Sequence, residues 1–310
     1  MVFLVGLLAG CTPERDDADF FSPDAVDLLV IDAVLIVGEP LPALRLSRSL
    51  APDEPYTRES SDERGASIFV TDGEDREIPY VGWESEYGYY YVPAASPVPV
   101  VQPSTTYDLR VVSERGEVLT ATTLTPEPLA VSRWVAIDPA TNTEDRELKT
   151  FADLGEGVYD APENQIPYAS VIVDAQLDDS GTEGFQIALF SLDEGSPPVI
   201  DPPFFEEEDF EDLERNVSSP LLLAEEGSIR LPWFAIYFEG RHKYKVFSVD
   251  LNWYDYLRTT RQDGGGFGGT FGEGFESPIF HVEGGIGLFG SASVDSTGFT
   301  AVSYTHLRAH

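Results

Sequence analysis

The chain has 310 residues and a net charge of −36, from 55 acidic against 19 basic side chains. That balance repels anionic headgroups and excludes nucleic acid as a partner. With 42% hydrophobic and 12% aromatic residues it can bury a real core, so it is not a disordered acidic tail. The three lysines are Lys149, Lys243 and Lys245, and so acidic and lysine-poor a surface suggests a salty, halophilic setting in which screening relieves self-repulsion.

Residues 1–10 form an apolar run too short to cross a bilayer, which needs about 20 residues, and they read as a lipoprotein signal peptide. The run ends in Leu8-Ala9-Gly10-Cys11, which resembles a lipobox. Small residues let a signal peptidase approach the backbone, and the Cys11 thiol, the chain's single cysteine, then takes the lipid. A buried thiol is the competing reading. Signal peptides open on Lys or Arg and Met1-Val2-Phe3 has neither, so the natural start is expected upstream. Residues 11–25, with Pro13, Pro23 and several acids, read as an acidic tether. Membrane attachment would therefore be by lipid alone.

Residues 26–127 read as an immunoglobulin-like β-sandwich, in an all-β chain whose second β-rich domain spans 128–300. Val26 to Val37 is β-branched and stops at Gly38-Glu39-Pro40. Leu44 to Ser49 alternates with period two, and Ala66 to Thr71 ends in the turn Asp72-Gly73. Tyr87 to Val92 is aromatic, Thr106 to Val112 alternates, and Ser113 to Glu117 turns into Val118 to Leu124. Short strands with frequent turn signals suit such a sandwich, closed by Pro126 and Pro128.

In the second domain Val131 to Ile137 continues the strands, followed by a polar section to about Gln165 that reads as a short helix or long loop. Tyr168 to Leu177 and Gly184 to Leu192 alternate around Asp178-Asp179-Ser180-Gly181 and predict a hairpin. Pro197 to Pro203 and Glu206 to Asp209 predict an acidic loop. Ile229 to Phe238 and Tyr244 to Leu251 predict strands, Trp253 to Arg258 a short helix, and Gly264 to Gly272 a loop. Ile279 to Val282 and Ile286 to Ser293 complete the strands. Residues 301–310 end in Ser303-Tyr304-Thr305-His306-Leu307-Arg308-Ala309-His310, which resembles translated sequencing adapter and is expected to be an artefact tail.

Two stretches carry a family resemblance. Gly65 to Gly73 with an aromatic strand after it, then Thr106-Tyr107-Asp108-Leu109-Arg110-Val111, is similar to the first domain of the lipoproteins grouped as domain of unknown function 4249. Glu273-Gly274-Phe275-Glu276-Ser277-Pro278 with Val282-Glu283-Gly284-Gly285-Ile286-Gly287-Leu288-Phe289-Gly290 resembles that family's terminal signature, with His281 or Val282 where the signature has asparagine. The resemblance implies an outer-membrane lipoprotein of the Bacteroidota, encoded near TonB-dependent receptors, with no assigned activity.

Catalytic motifs are absent from the sequence: His242 and His281 lie in no nucleophile elbow or zinc-binding pattern, and the glycine run 264–269 lacks the Lys-Ser/Thr of a phosphate loop. Carboxylates are too abundant for spacing to single out a glycosidase pair. Asp72 to Glu77 and Glu206 to Glu211 offer oxygen ligands for calcium but not in an EF-hand order, so no cofactor is expected, a solvated acidic face is the better reading, and a bound calcium ion is the alternative. Trp83, Tyr87, Tyr89, Tyr90 and Tyr91 are the ligand candidates. Alternation sends Tyr87, Tyr89 and Tyr91 to one side and Tyr90 to the other, so Trp83, Tyr87, Tyr89 and Tyr91 could form a stacking platform, against the alternative of packing across the sandwich. The resulting expectation is a lipid-anchored, non-enzymatic binding or accessory protein beside an uptake receptor. A carboxylate-based glycan enzyme and an adhesive surface protein are the alternatives.

Overall fold

The computed structural model describes residues 27–51, 54–93, 98–138, 141–151, 159, 161–167, 172–177, 184–199, 214–222, 228–231, 235–260 and 278–302. Among the described residues the chain is nearly all β, with a ten-residue helix at Leu251–Thr260. In order the elements are β1 (Leu29–Ile36), β2 (Leu44–Arg48), β3 (Ser67–Thr71), β4 (Glu77–Gly82), β5 (Tyr89–Tyr91), β6 (Thr106–Val112), β7 (Val118–Leu124), β8 (Val131–Asp138) and β9 (Thr143–Glu147). They continue with β10 (Gln165–Pro167), β11 (Ile172–Leu177), β12 (Phe185–Ser191), β13 (Asn216–Ser218), β14 (Ser228–Leu231), β15 (Gly240–Val249), α1 (Leu251–Thr260), β16 (Val282–Glu283) and β17 (Ile286–Val302).

The last strand is the spine. At 17 residues it spans roughly 55 Å at the usual strand rise. Its first part, Ile286 to Ala292, pairs in parallel with β1, and from Ala292 to Ala301 it pairs antiparallel with β15. One sheet of thirteen strands therefore runs through both halves of the chain, and a four-stranded sheet, β14-β11-β8-β9, accompanies it. Two apolar cores follow from this layout. Leu29, Ile31, Leu46, Val70, Leu109 and Leu119 fill the first, to which β17 contributes Phe289, while Trp134, Ile187, Ile229, Tyr244 and Phe299 fill the second. In the second, the Trp134 ring meets Tyr244 edge-on at 5.2 Å, and the Tyr244 hydroxyl donates to the Ile229 carbonyl.

Glycines make the first unit close on itself. β16 pairs with β7, whereas β17 pairs with β1, so the chain crosses between these strands in the two residues Gly284-Gly285. A Cβ on Gly284 would stand 2.0 Å from the Val118 carbonyl oxygen, one on Gly285 2.5 Å from that of Leu29, and one on Gly287 2.0 Å from that of Ile31. No side chain fits any of the three. The glycine-rich terminal signature is thus a corner where strand backbones touch.

Polar residues fasten the spine to the connection between the two halves. Ser293 Oγ accepts the Leu129 N–H at 2.6 Å, and Asp295 Oδ2 accepts that of Val131 at 2.8 Å. Buried Asp250 precedes α1 and accepts from the Trp253 N–H at 2.9 Å and from the Thr123 hydroxyl, an N-cap that also ties in the end of β7. Asn252 Nδ2 donates to the Thr122 and Phe289 carbonyls. Burial pushes the Asp250 carboxyl up, against the pull of these bonds.

Several sequence expectations change. Tyr168 to Leu177 and Gly184 to Leu192 do not form a hairpin: β11 pairs with β8 and β14, and β12 pairs with β13 and β15 in the other sheet. Facing sheets impose the same inward alternation as a hairpin, so the pattern could not separate the two. The polar section before Gln165 contains β9 and a short 3-10 turn at Pro162–Asn164. β4 was not expected, because Pro79 interrupts it; of the β4 residues β5 pairs with Val81 and Gly82 alone, so the proline falls where that side of β4 is open. Ile229 to Phe238 is not one strand, since β14 ends at Leu231. β17 extends past Ser293 to Val302, with Ala301 buried. The expected helix at Trp253 to Arg258 lies inside α1. The tether, the acidic run 206–211 and the glycine loop 264–272 lie outside the described residues.

Candidate binding face

Strand pairing assembles an outward face on the first unit. Directly paired residues of antiparallel strands share a side, so Arg45 of β2 stands beside Tyr89 of β5, and Tyr91 beside Val81 of β4. Phe69 of β3 pairs with Pro79 further along the same side. Tyr90 points the other way into the core, where its hydroxyl donates to the Glu63 carbonyl at 2.8 Å and accepts the Ala66 N–H at 3.2 Å.

Trp83 is 49% exposed, and Tyr87 and Tyr91 are each 36% exposed, whereas Tyr89 is half-buried. The Trp83 and Tyr91 rings meet at 5.6 Å, tilted by 58°. Tyr87 does not belong to the alternating row. β5 begins only at Tyr89, and Tyr87 precedes a turn at Gly88, whose φ is +70° and whose Cβ would stand 2.5 Å from the Leu46 carbonyl oxygen. The Arg64 guanidinium covers the Tyr87 ring at 4.8 Å and pairs with Asp62, which holds the guanidinium proton more tightly than usual. Tyr56, also exposed, receives the Arg45 guanidinium through a hydrogen bond that lowers its phenol pKa.

Gly65, Gly82 and Gly88 leave backbone bare in a shallow depression of about 220 Å³, bordered by Trp83, Glu84, Glu86 and Arg64. A larger open hollow of about 770 Å³ lies beside the Asp72–Arg76 turn. Its polar groups serve the fold: Tyr107 Oη accepts the Gln102 N–H, and Asp72 accepts from the Glu74 and Arg76 N–H groups and from the Arg76 guanidinium. Burial pushes the Asp72 carboxyl up, but these bonds outweigh it and hold the pKa below the ordinary value. The Asp72 carboxylate, considered above for calcium, thus organises a turn. Sequence reasoning singled out the ring residues but missed Tyr56, Arg45, Arg64, Glu84 and Glu86, which only strand pairing and the β4–β5 turn bring alongside.

His242 and His281 fall elsewhere. His281 Nε2 lies 2.8 Å from Asp255 Oδ2, beside α1. His242 is buried in β15, stacked on Phe299 at 5.2 Å with its Nδ1 2.9 Å from the Gly240 carbonyl, and burial lowers its pKa to about 4. It is therefore a neutral core ring. Since the folded value lies below the ordinary 6.5, stability is intact above pH 6.5 and falls as pH drops towards 4, by about 3 kcal/mol. His242→Phe is expected to flatten that limb of a urea-midpoint profile, and an unchanged slope would contradict the assignment. Cys11 lies outside the described residues.

The described residues form a nearly all-β fold with Trp83 and Tyr91 exposed on one side of the large sheet. The family model described as domain of unknown function (DUF4249) matches residues 15–298, and the chain belongs to that family. No curated protein matches it.

Proposed function

We propose that this protein is a non-catalytic accessory protein, held at the outer membrane by lipid on Cys11, that binds a TonB-dependent uptake receptor through the Trp83–Tyr91 face. The observation that carries the reading is the exposure of both rings on an open sheet face while their neighbour Tyr90 is buried. Aromatic side chains give large contact area for little lost side-chain entropy. Confinement of two proteins to one membrane raises their effective concentration, so a modest contact would persist. Three buried carboxylates are engaged by the fold: Asp250 caps α1, Asp72 organises a turn, and Glu63 pairs with Arg48.

Copurification from native membranes tests the reading. Alanine at both Trp83 and Tyr91 is expected to reduce receptor recovery by tenfold or so, about 1.4 kcal/mol, with thermal stability preserved. The Tyr89→Ala, Tyr91→Ala pair should act in the same direction, and undiminished recovery with either pair would refute the assignment of the face. Cys11→Ser is expected to move the protein to the soluble fraction after a high-salt wash, since it removes the sequence's single cysteine and with it the thiol that takes the lipid. Retention in the membrane would remove the lipid from the proposal.

A further inference from the structure

Resting on that reading of the face, we infer that its ligand is cationic: the Trp83–Tyr91 rings with Glu84 and Glu86 receive an arginine or lysine side chain of the partner. Elsewhere in this protein cations repeatedly settle on rings. Arg45 lies over Tyr56 at 5.9 Å, Arg64 over Tyr87 at 4.8 Å and Arg215 over Phe238 at 4.1 Å. Among the described residues no cation covers Trp83 or Tyr91, although tryptophan gives the strongest such contact.

The surroundings favour positive charge. Glu84 and Glu86 border the depression next to Trp83, and Arg64, the cation that also borders it, has its charge offset by its ion pair with Asp62. The Asp62 side chain, which pairs with Arg64, is only 8% exposed, and its Oδ1 has no hydrogen-bond partner among the described residues. That oxygen is 3.5 Å from where a Cβ on Gly88, which lines the depression, would stand. At long range the net charge of −36 steers basic partners inwards and turns acidic ones away. A neutral sugar could stack on the same rings but would gain nothing from this field, so it is the competing occupant.

The test is calorimetric titration of the purified protein with tetra-arginine amide at physiological salt, beside tetraglutamate and maltohexaose. Tetra-arginine is expected to bind and the other two are not. Alanine at Trp83 and Tyr91 changes no charge and should weaken binding roughly 3- to 30-fold, the range of a cation–π contact. Glu84→Gln with Glu86→Gln should also weaken it, whereas the charge-matched pair Glu194→Gln with Glu239→Gln, on the second unit, should not. Equal loss with both glutamine pairs would assign the attraction to the overall field and overturn the site. Binding of maltohexaose without tetra-arginine, or no binding at all, would overturn it too. Thermal melts verify folding, and if the alanine pair does not fold, the glutamine pairs decide. Receptor recovery that depends on Trp83 and Tyr91 but not on Glu84 and Glu86 would leave the proposed function standing and remove only the cationic ligand.

Discussion

Gly287→Ala is expected to destabilise the protein by about 3 kcal/mol or more, from backbone strain and steric overlap together. The residue has φ +114°, a region that side chains rarely adopt, and an added Cβ would stand 2.0 Å from the Ile31 carbonyl oxygen. That oxygen belongs to the strand with which Gly287 is paired, so the overlap cannot be relieved by rotating a side chain. Relief requires β1 and β17 to separate, and β17 also carries β15; the damage should therefore reach both cores. Gly38→Ala is the control, because its φ of +84° imposes the strain with nothing within 4 Å of the new Cβ. It should cost only about 1–2 kcal/mol. Urea denaturation of both variants isolates the overlap, and near-equal losses would mean that the corner is not as tight as described. Against a typical total stability of about 5–15 kcal/mol, the Gly287 variant is expected to accumulate poorly.

The strands most legible in the sequence are those with one face in a core. Leu29, Ile31, Ala33 and Leu35 alternate because β1 buries every second residue, and Tyr107, Leu109 and Val111 do the same in β6. β4 was hidden, although Ile78 and Tyr80 follow the same rule, because Pro79 between them argues against a strand. The roles of the glycines were invisible for another reason. Gly284, Gly285 and Gly287 could be recognised as a pattern, but the carbonyls that they approach belong to β1 and β7, more than a hundred residues earlier. The aromatic face was half legible. Period two separated Tyr90 from Tyr89 and Tyr91 correctly, whereas the placement of Tyr87 depends on a turn at Gly88 that ends the alternation. Arg48 carried a signal that went unused. In Leu44-Arg45-Leu46-Ser47-Arg48 the period places Arg48 on the side of Leu44 and Leu46, so an arginine was being directed towards the core and needed anions to meet it.

Those anions supply the second large effect. The Arg48 side chain is only 6% exposed, and its Nε donates to Glu63 Oε2 at 2.6 Å, while Nη1 donates to the Asp27 carbonyl at 2.8 Å and Nη2 pairs with Glu117. One guanidinium thus joins four separate segments of the first unit, and the bonds from Glu117 and Glu63 raise its already high pKa despite burial. Glu117 and Asp27 keep access to water, but the Glu63 side chain is 8% exposed and has none to fall back on. Arg48→Met would leave that carboxylate buried without its cation, at an expected loss of about 3–5 kcal/mol. The companion Glu63→Leu in the same chain should recover most of it, because an apolar pair needs no charge compensation. Glu63 also borders the depression beside Trp83, and its carbonyl anchors the Tyr90 hydroxyl beneath the face. The single variant should therefore weaken receptor recovery as well as lower the urea midpoint, and the double variant should restore the midpoint first. A loss below about 1 kcal/mol for Arg48→Met, the range of an exposed ion pair, would show that solvent reaches Glu63 and that the network does not hold the first unit together.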